Sequence, residues 1–127
     1  MEPVIIVTIL ALAQYVYFGI TVGGVRVKTG VKAPASSGDP EFERANRVHL
    51  NTLEQLVVLL PALWLYAHYV NPLWGAGLGV VYLIGRFIYK SAYMKDPAGR
   101  SAGFMLSFLP SAVMLVWVLI VAVMHYV

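Results

Sequence analysis

Apolar residues run along this chain in four long stretches separated by short polar or turn-forming segments. The first spans Pro3 to Val25, with Gln14 as its main interruption, and the second spans Pro40 to Tyr69. The third runs from about Leu73 to Lys95, and the fourth from near Pro97 to near Tyr126. Each is long enough for a transmembrane helix, which needs roughly 20 mostly apolar residues. Segment 29–40 (TGVKAPASSGDP) reads as a loop from its Gly, Pro and Ser. Asp39-Pro40 ends it as an N-cap followed by proline at the first helical position, and Asp96-Pro97 repeats the device. Glu41 and Glu43 add negative charge to the first turn, where the helix dipole favours it.

At 1.5 Å per residue the second helix is roughly 45 Å long, so its first turns project from a hydrocarbon layer of about 30 Å. Pro61 and Pro110 predict kinks, and Gly75, Gly77, Gly79 and Gly85 predict close helix contacts. Ala11-Leu12-Ala13 resembles a signal-peptide cleavage site, but Glu2 and the lack of Lys or Arg before it favour a retained first helix. The later connections are too short for anything but antiparallel neighbours. The expected fold is therefore all-α: an integral membrane up-down four-helix bundle, one domain over residues 1–127.

Composition agrees, because 60% of residues are hydrophobic and only 12% charged, against about a quarter charged in soluble domains. The absence of cysteine removes disulfides, thiolate metal sites and a protein thiol nucleophile. His49, His68 and His125 do not form a spaced metal motif, so no metal is expected. The net charge of +3 does not come as a solvent-exposed basic face with interleaved aromatics, so no nucleic-acid partner is expected.

All nine Lys and Arg fall between Arg26 and Arg47 or between Arg86 and Arg100, flanking the first and third loops. The positive-inside rule then puts these loops at the cytoplasmic face and both chain ends on the other side. Such placement suits a lipid membrane with anionic headgroups.

Two polar stripes lead to that face. Arg47, Asn51 and Glu54 stand at i, i+4 and i+7, within roughly 60° of one side of the second helix. Tyr82, Arg86, Tyr89 and Tyr93 form a matching stripe on the third. Arg100 lies about one turn inside the expected fourth helix, where its charge adds to the positive end of the dipole. Two readings stand at this point. The cations snorkel, the tyrosines belong to an interfacial belt, and Glu54 pairs with Arg47 or Arg86 as structural glue. Alternatively, the stripes and Arg100 hold a small ligand bearing carboxylates. An excess of cations over acids, two stripes and a helix N-terminus favour the ligand. A small transporter subunit is disfavoured, because polar residues do not run through the midplane of several helices. No protein nucleophile stands beside a base, so a substrate is expected to supply it.

The stretch GDPEFERANRVHLNTLEQ, residues 38–55, closely resembles the second-helix signature of membrane-associated proteins in eicosanoid and glutathione metabolism (MAPEG). Glu43, Arg44, Arg47, Asn51 and Glu54 match its Glu-Arg-x-x-Arg-x-x-x-Asn-x-x-Glu. GRFIYKSAY, residues 85–93, is similar to the family's third-helix pattern. The resemblance implies a homotrimer with glutathione as co-substrate, bound between subunits near the cytoplasmic face. It implies that Arg26, Arg47, Asn51, Glu54, Tyr89 and Tyr93 hold glutathione, with His49, Gln55 and Arg86 in support. Arg100 takes the place of the family's thiolate-stabilising catalytic arginine. The implied activity is a glutathione transferase acting on a hydrophobic electrophile from the bilayer, with lipid hydroperoxide reduction as a side activity. A non-catalytic lipid-binding scaffold is the alternative within the family. Members that make leukotriene C differ at Val27, His49, Gln55 and Ala112, so a broad transferase is the closer expectation.

Overall fold

Three short polar residues cap the second helix, the third helix and the turn that precedes the fourth. Asp39 Oδ1 accepts from the backbone N–H of Glu41 (2.9 Å) and Phe42 (3.2 Å). Asn71 Oδ1 does the same for Leu73 (2.8 Å) and Trp74 (3.0 Å). Asp96 Oδ1 accepts from Ala98 N–H at 3.1 Å. Each cap satisfies donors that the first helical turn leaves free. The computed structural model describes residues 1–127 and contains α1 (Glu2–Thr29), α2 (Pro40–Tyr69), α3 (Pro72–Lys95) and α4 (Ser101–Tyr126), with no strand. All four helices are long and apolar enough to cross a membrane. The expected all-α bundle is the observed one.

Two boundaries differ from expectation. α1 continues past Val25 through Arg26 and Lys28, because cations in a last turn are favoured by the helix dipole. At the other end, Pro97–Gly99 forms a separate 3-10 turn and α4 starts only at Ser101. Arg100 is therefore the residue before the first turn of α4, not one turn inside it. Its carbonyl accepts the first helical bond, from Phe104 N–H at 3.0 Å. Neither Pro61 nor Pro110 ends its helix.

α2 and α3 form the middle of the bundle: α2 packs on α1, α3 and α4, and α3 also packs on α1 and α4. Val4, Val7 and Ala11 of α1 meet Leu56, Leu59 and Leu63 of α2, Tyr82 of α3 and Met114 of α4 in the main core. The outer surface is apolar as well, with Ile6, Ile20, Val57, Trp74 and Leu119 exposed. A helix apolar on both sides is what a lipid solvent requires. Polar side chains bridge the helices inside. Gln14 Nε2 donates to the Leu83 carbonyl at 3.0 Å, and Trp64 Nε1 donates to Thr8 Oγ1 at 3.0 Å.

Between α3 and α4 the backbones themselves touch. A Cβ on Gly85 would lie 2.7 Å from the Ser107 nitrogen, and one on Gly103 would overlap the Tyr89 backbone. Gly85 thus makes the close contact its sequence predicts, and Gly103 completes the crossing from the other side. Gly77 faces open space and makes no such contact, contrary to expectation.

This crossing fixes Ser107 and Tyr89, so it is testable. Gly103→Val is expected to destabilise the protein by about 1–3 kcal/mol through overpacking. Gly77→Ala should be neutral or stabilising by up to about 1 kcal/mol, since it removes glycine's backbone entropy without a clash. Thermal melting of the detergent-solubilised variants separates the two.

Candidate functional site

The up-down order brings the end of α1, the start of α2, the end of α3 and the start of α4 to one end of the bundle. On α2, the residues of the predicted stripe touch one another. Arg47 Nη2 lies 3.2 Å from Glu54 Oε1, and Asn51 Nδ2 donates to the same oxygen at 3.2 Å. The amide oxygen of Asn51 is buried and has no partner. The ion pair faces outward: the side chains of Arg47 and Glu54 are 46% and 58% exposed. Leu50, Val57 and Val58 beside it are exposed too. Measured back from Tyr69, a hydrocarbon layer of about 30 Å reaches roughly to residue 50, which leaves Glu54 within it. An ion pair there needs polar company.

On α3, Tyr89 is buried and Tyr93 half-buried, with ring centroids 5.5 Å apart and planes 31° apart. Phe104 of α4 closes over Tyr89 at 6.5 Å. Arg47, Tyr89, Tyr93 and Arg100 therefore share one end of the bundle within a single chain. Arg100 is exposed, and its Nη1 turns back to the Pro97 carbonyl at 2.8 Å. That leaves a guanidinium beside the free N–H groups of the first turn of α4, a place suited to an anion.

The remaining candidates sit elsewhere. Arg26 lies over the Phe42 ring at 4.5 Å and donates through Nη1 to the Ala35 carbonyl at 2.8 Å, bracing the α1–α2 loop. His49 faces α1, edge-on to Tyr15 at 4.4 Å and against Gly19, so packing accounts for it. Gln55 is buried. Arg86 is wholly buried, with Nη2 on Thr52 Oγ1 at 2.9 Å and Nη1 on Ser107 Oγ at 3.2 Å. Glu54 accordingly pairs with Arg47 and not with Arg86.

Three further residues of this region were not among the expected site residues. Arg44 donates to the Met94 and Lys95 carbonyls at 3.2 and 3.3 Å, tying α2 to the end of α3. Thr52 and Ser107 accept from Arg86. The only signal for these hydroxyls was the need of a buried guanidinium for acceptors, and the helix register that selects them is tertiary. No group of three or more His, Cys, Asp or Glu comes together as a metal site.

The profile of the MAPEG family matches residues 4–120. An uncharacterised protein of Synechocystis sp. is 44% identical over 115 residues, covering 91% of this chain and 84% of that one. Human microsomal glutathione S-transferase 2 is 39% identical over 101 residues, 80% of this chain and 69% of its own. Leukotriene C4 synthase of Cavia porcellus is 32% identical over 114 residues, 90% of this chain and 73% of its own. With a family match over nearly its whole length and four helices fit to span a bilayer, the chain belongs to the MAPEG family as an integral, multi-pass membrane protein.

Proposed function

We propose that this protein is a membrane-bound glutathione transferase that binds glutathione as a thiolate and joins it to hydrophobic electrophiles from the bilayer. The observation that carries this reading is Arg100, an exposed guanidinium at a helix N-terminus, at the same end of the bundle as the charged stripe of α2 and the tyrosines of α3. Glutathione has two carboxylates, an amine, two peptide groups and a thiol. Arg47 and Arg26 offer guanidinium groups to the carboxylates, and only Nη1 of Arg26 is used by the loop. Glu54 takes the amine, the free amide oxygen of Asn51 takes a peptide N–H, and Tyr89 and Tyr93 form the wall. The name of the human relative supports both the ligand and the reaction class.

A free thiol has a pKa near 8.5, and a guanidinium or helix N-terminus lowers it. Arg100 supplies both, so thiolate is present at neutral pH and is the nucleophile. In conjugation the sulfur forms a bond to carbon as the leaving group departs. With a lipid hydroperoxide, the thiolate takes the terminal oxygen and releases the alcohol, and a second glutathione then yields the disulfide and water.

The outward-facing Arg47–Glu54 pair at membrane depth supports a second copy of the chain covering it, with the ligand between subunits. The proposed assembly is the homotrimer, its glutathione sites toward the cytoplasmic face where the cations gather.

Detergent-purified protein is expected to conjugate glutathione to a generic aryl halide. Arg100→Ala should lower the rate about 10- to 100-fold at pH 6.5 and no more than about threefold at pH 9.5, where thiolate forms unaided. Wild-type protein that binds glutathione without turnover would favour the lipid-binding scaffold. For the assembly, native mass spectrometry should give three chains, and a monomer that still binds glutathione would sink the shared site.

A further inference from the structure

Arg86 is wholly buried, yet no Asp or Glu lies within 4.0 Å of it. Its Nε has no partner. Its two terminal nitrogens reach different helices, Thr52 on α2 and Ser107 on α4. Both hydroxyls are poised to accept, because each gives its own proton to a carbonyl: Thr52 to Val48 at 2.8 Å, Ser107 to Gly103 at 3.0 Å and Phe104 at 2.9 Å. The guanidinium held between them lies over the Tyr89 ring, 4.3 Å from the centroid. Tyr89 in turn packs on Tyr93, which reaches the open end of the bundle.

A buried cation with no acid is a poor choice for stability alone, since an apolar side chain of similar volume generally serves as well. Packing therefore leaves this arginine unexplained. A planar, forked cation is needed where one face must stack while both ends are held.

We infer that Arg86 is the positioning residue of the glutathione site: anchored by Thr52 and Ser107, it fixes the Tyr89 ring and through it Tyr93. Resting on the glutathione reading above, this assigns Arg86 a role without ligand contact. Glutathione affinity depends on Arg86, while thiolate formation belongs to Arg100.

The test combines a readout that needs no ligand with one that does. Protein labelled with 3-fluorotyrosine is followed by 19F NMR, with Tyr89→Phe and Tyr93→Phe assigning the two resonances. Arg86→Gln should move both, leaving that of Tyr126, at the far end of the bundle, in place. By calorimetry its glutathione Kd should rise about tenfold or more, the scale of losing one oriented contact. The thiolate absorbance of bound glutathione should keep its midpoint to within about 0.3 pH unit, a shift too small for a group acting on the thiol.

Unmoved tyrosine resonances, or an unchanged Kd beside a lowered Tm, would overturn the inference and make Arg86 a purely structural link. If Arg86→Gln does not fold, Thr52→Val with Ser107→Ala carries the test, because it keeps the charge and removes its anchors. The same shifts and weaker binding support the inference, and their absence overturns it. Should wild-type protein not bind glutathione at all, the proposed function falls and takes the affinity role with it. The fluorine spectra then still decide whether Arg86 holds Tyr89.

Discussion

In hydrocarbon, a backbone N–H or carbonyl without a partner costs several kcal/mol, and no water is at hand to supply one. Everything else in this protein follows from that constraint. Helices satisfy the backbone within themselves, and side chains cap the starts of α2, of α3 and of the 3-10 turn before α4: Asp39, Asn71 and Asp96. Lipid is as apolar as leucine, so burying apolar surface does little to hold helices together. Close backbone contact at Gly85 and Gly103 takes over part of that work. The remainder falls to polar links between helices, such as Gln14 with the Leu83 carbonyl.

The same constraint sorts the charged residues. Arg26 finds a backbone carbonyl in the first loop, Arg44 finds two at the end of α3, and Lys28 finds Glu41 at 3.0 Å. For Arg44 and Lys28 the structural reading is sufficient. Lys90 lies over the Tyr17 and Phe18 rings, consistent with a snorkelling stem. Besides the buried Arg86, what structure alone leaves over is smaller: the outward Arg47–Glu54 pair, the free oxygen of Asn51, and Arg100 at a helix N-terminus. Those residues share one end of the bundle, where a ligand with charges of both signs would answer all of them.

The α3–α4 crossing joins the two themes. Without a Cβ at Gly85 and Gly103, the helices approach until Ser107 meets Arg86 and Phe104 meets Tyr89. A contact that serves stability therefore also shapes the wall of the proposed site. This coupling explains why a chain with such uniform apolar surfaces holds specific polar geometry near one end.

The sequence by itself determined the four spans, the caps at Asp39 and Asp96, the polar stripes and the family. Hydropathy, charge placement and local motifs are properties of neighbouring residues, and the i, i+4, i+7 spacing of Arg47, Asn51 and Glu54 survives any packing of α2. Only tertiary structure decided which members of the stripes were available. Arg86 looked equivalent to Tyr89 and Tyr93 along α3, yet it is sealed inside against Thr52 and Ser107. His49, within the α2 stretch that carries the stripe, faces α1, and Arg26 at the end of α1 braces the first loop. The start of α4 also moved, because Asp96 capped a separate turn before Ser101. The physical reason is common to all of these. A helix face is written in the sequence, but what covers it depends on the rotation of each helix against its neighbours.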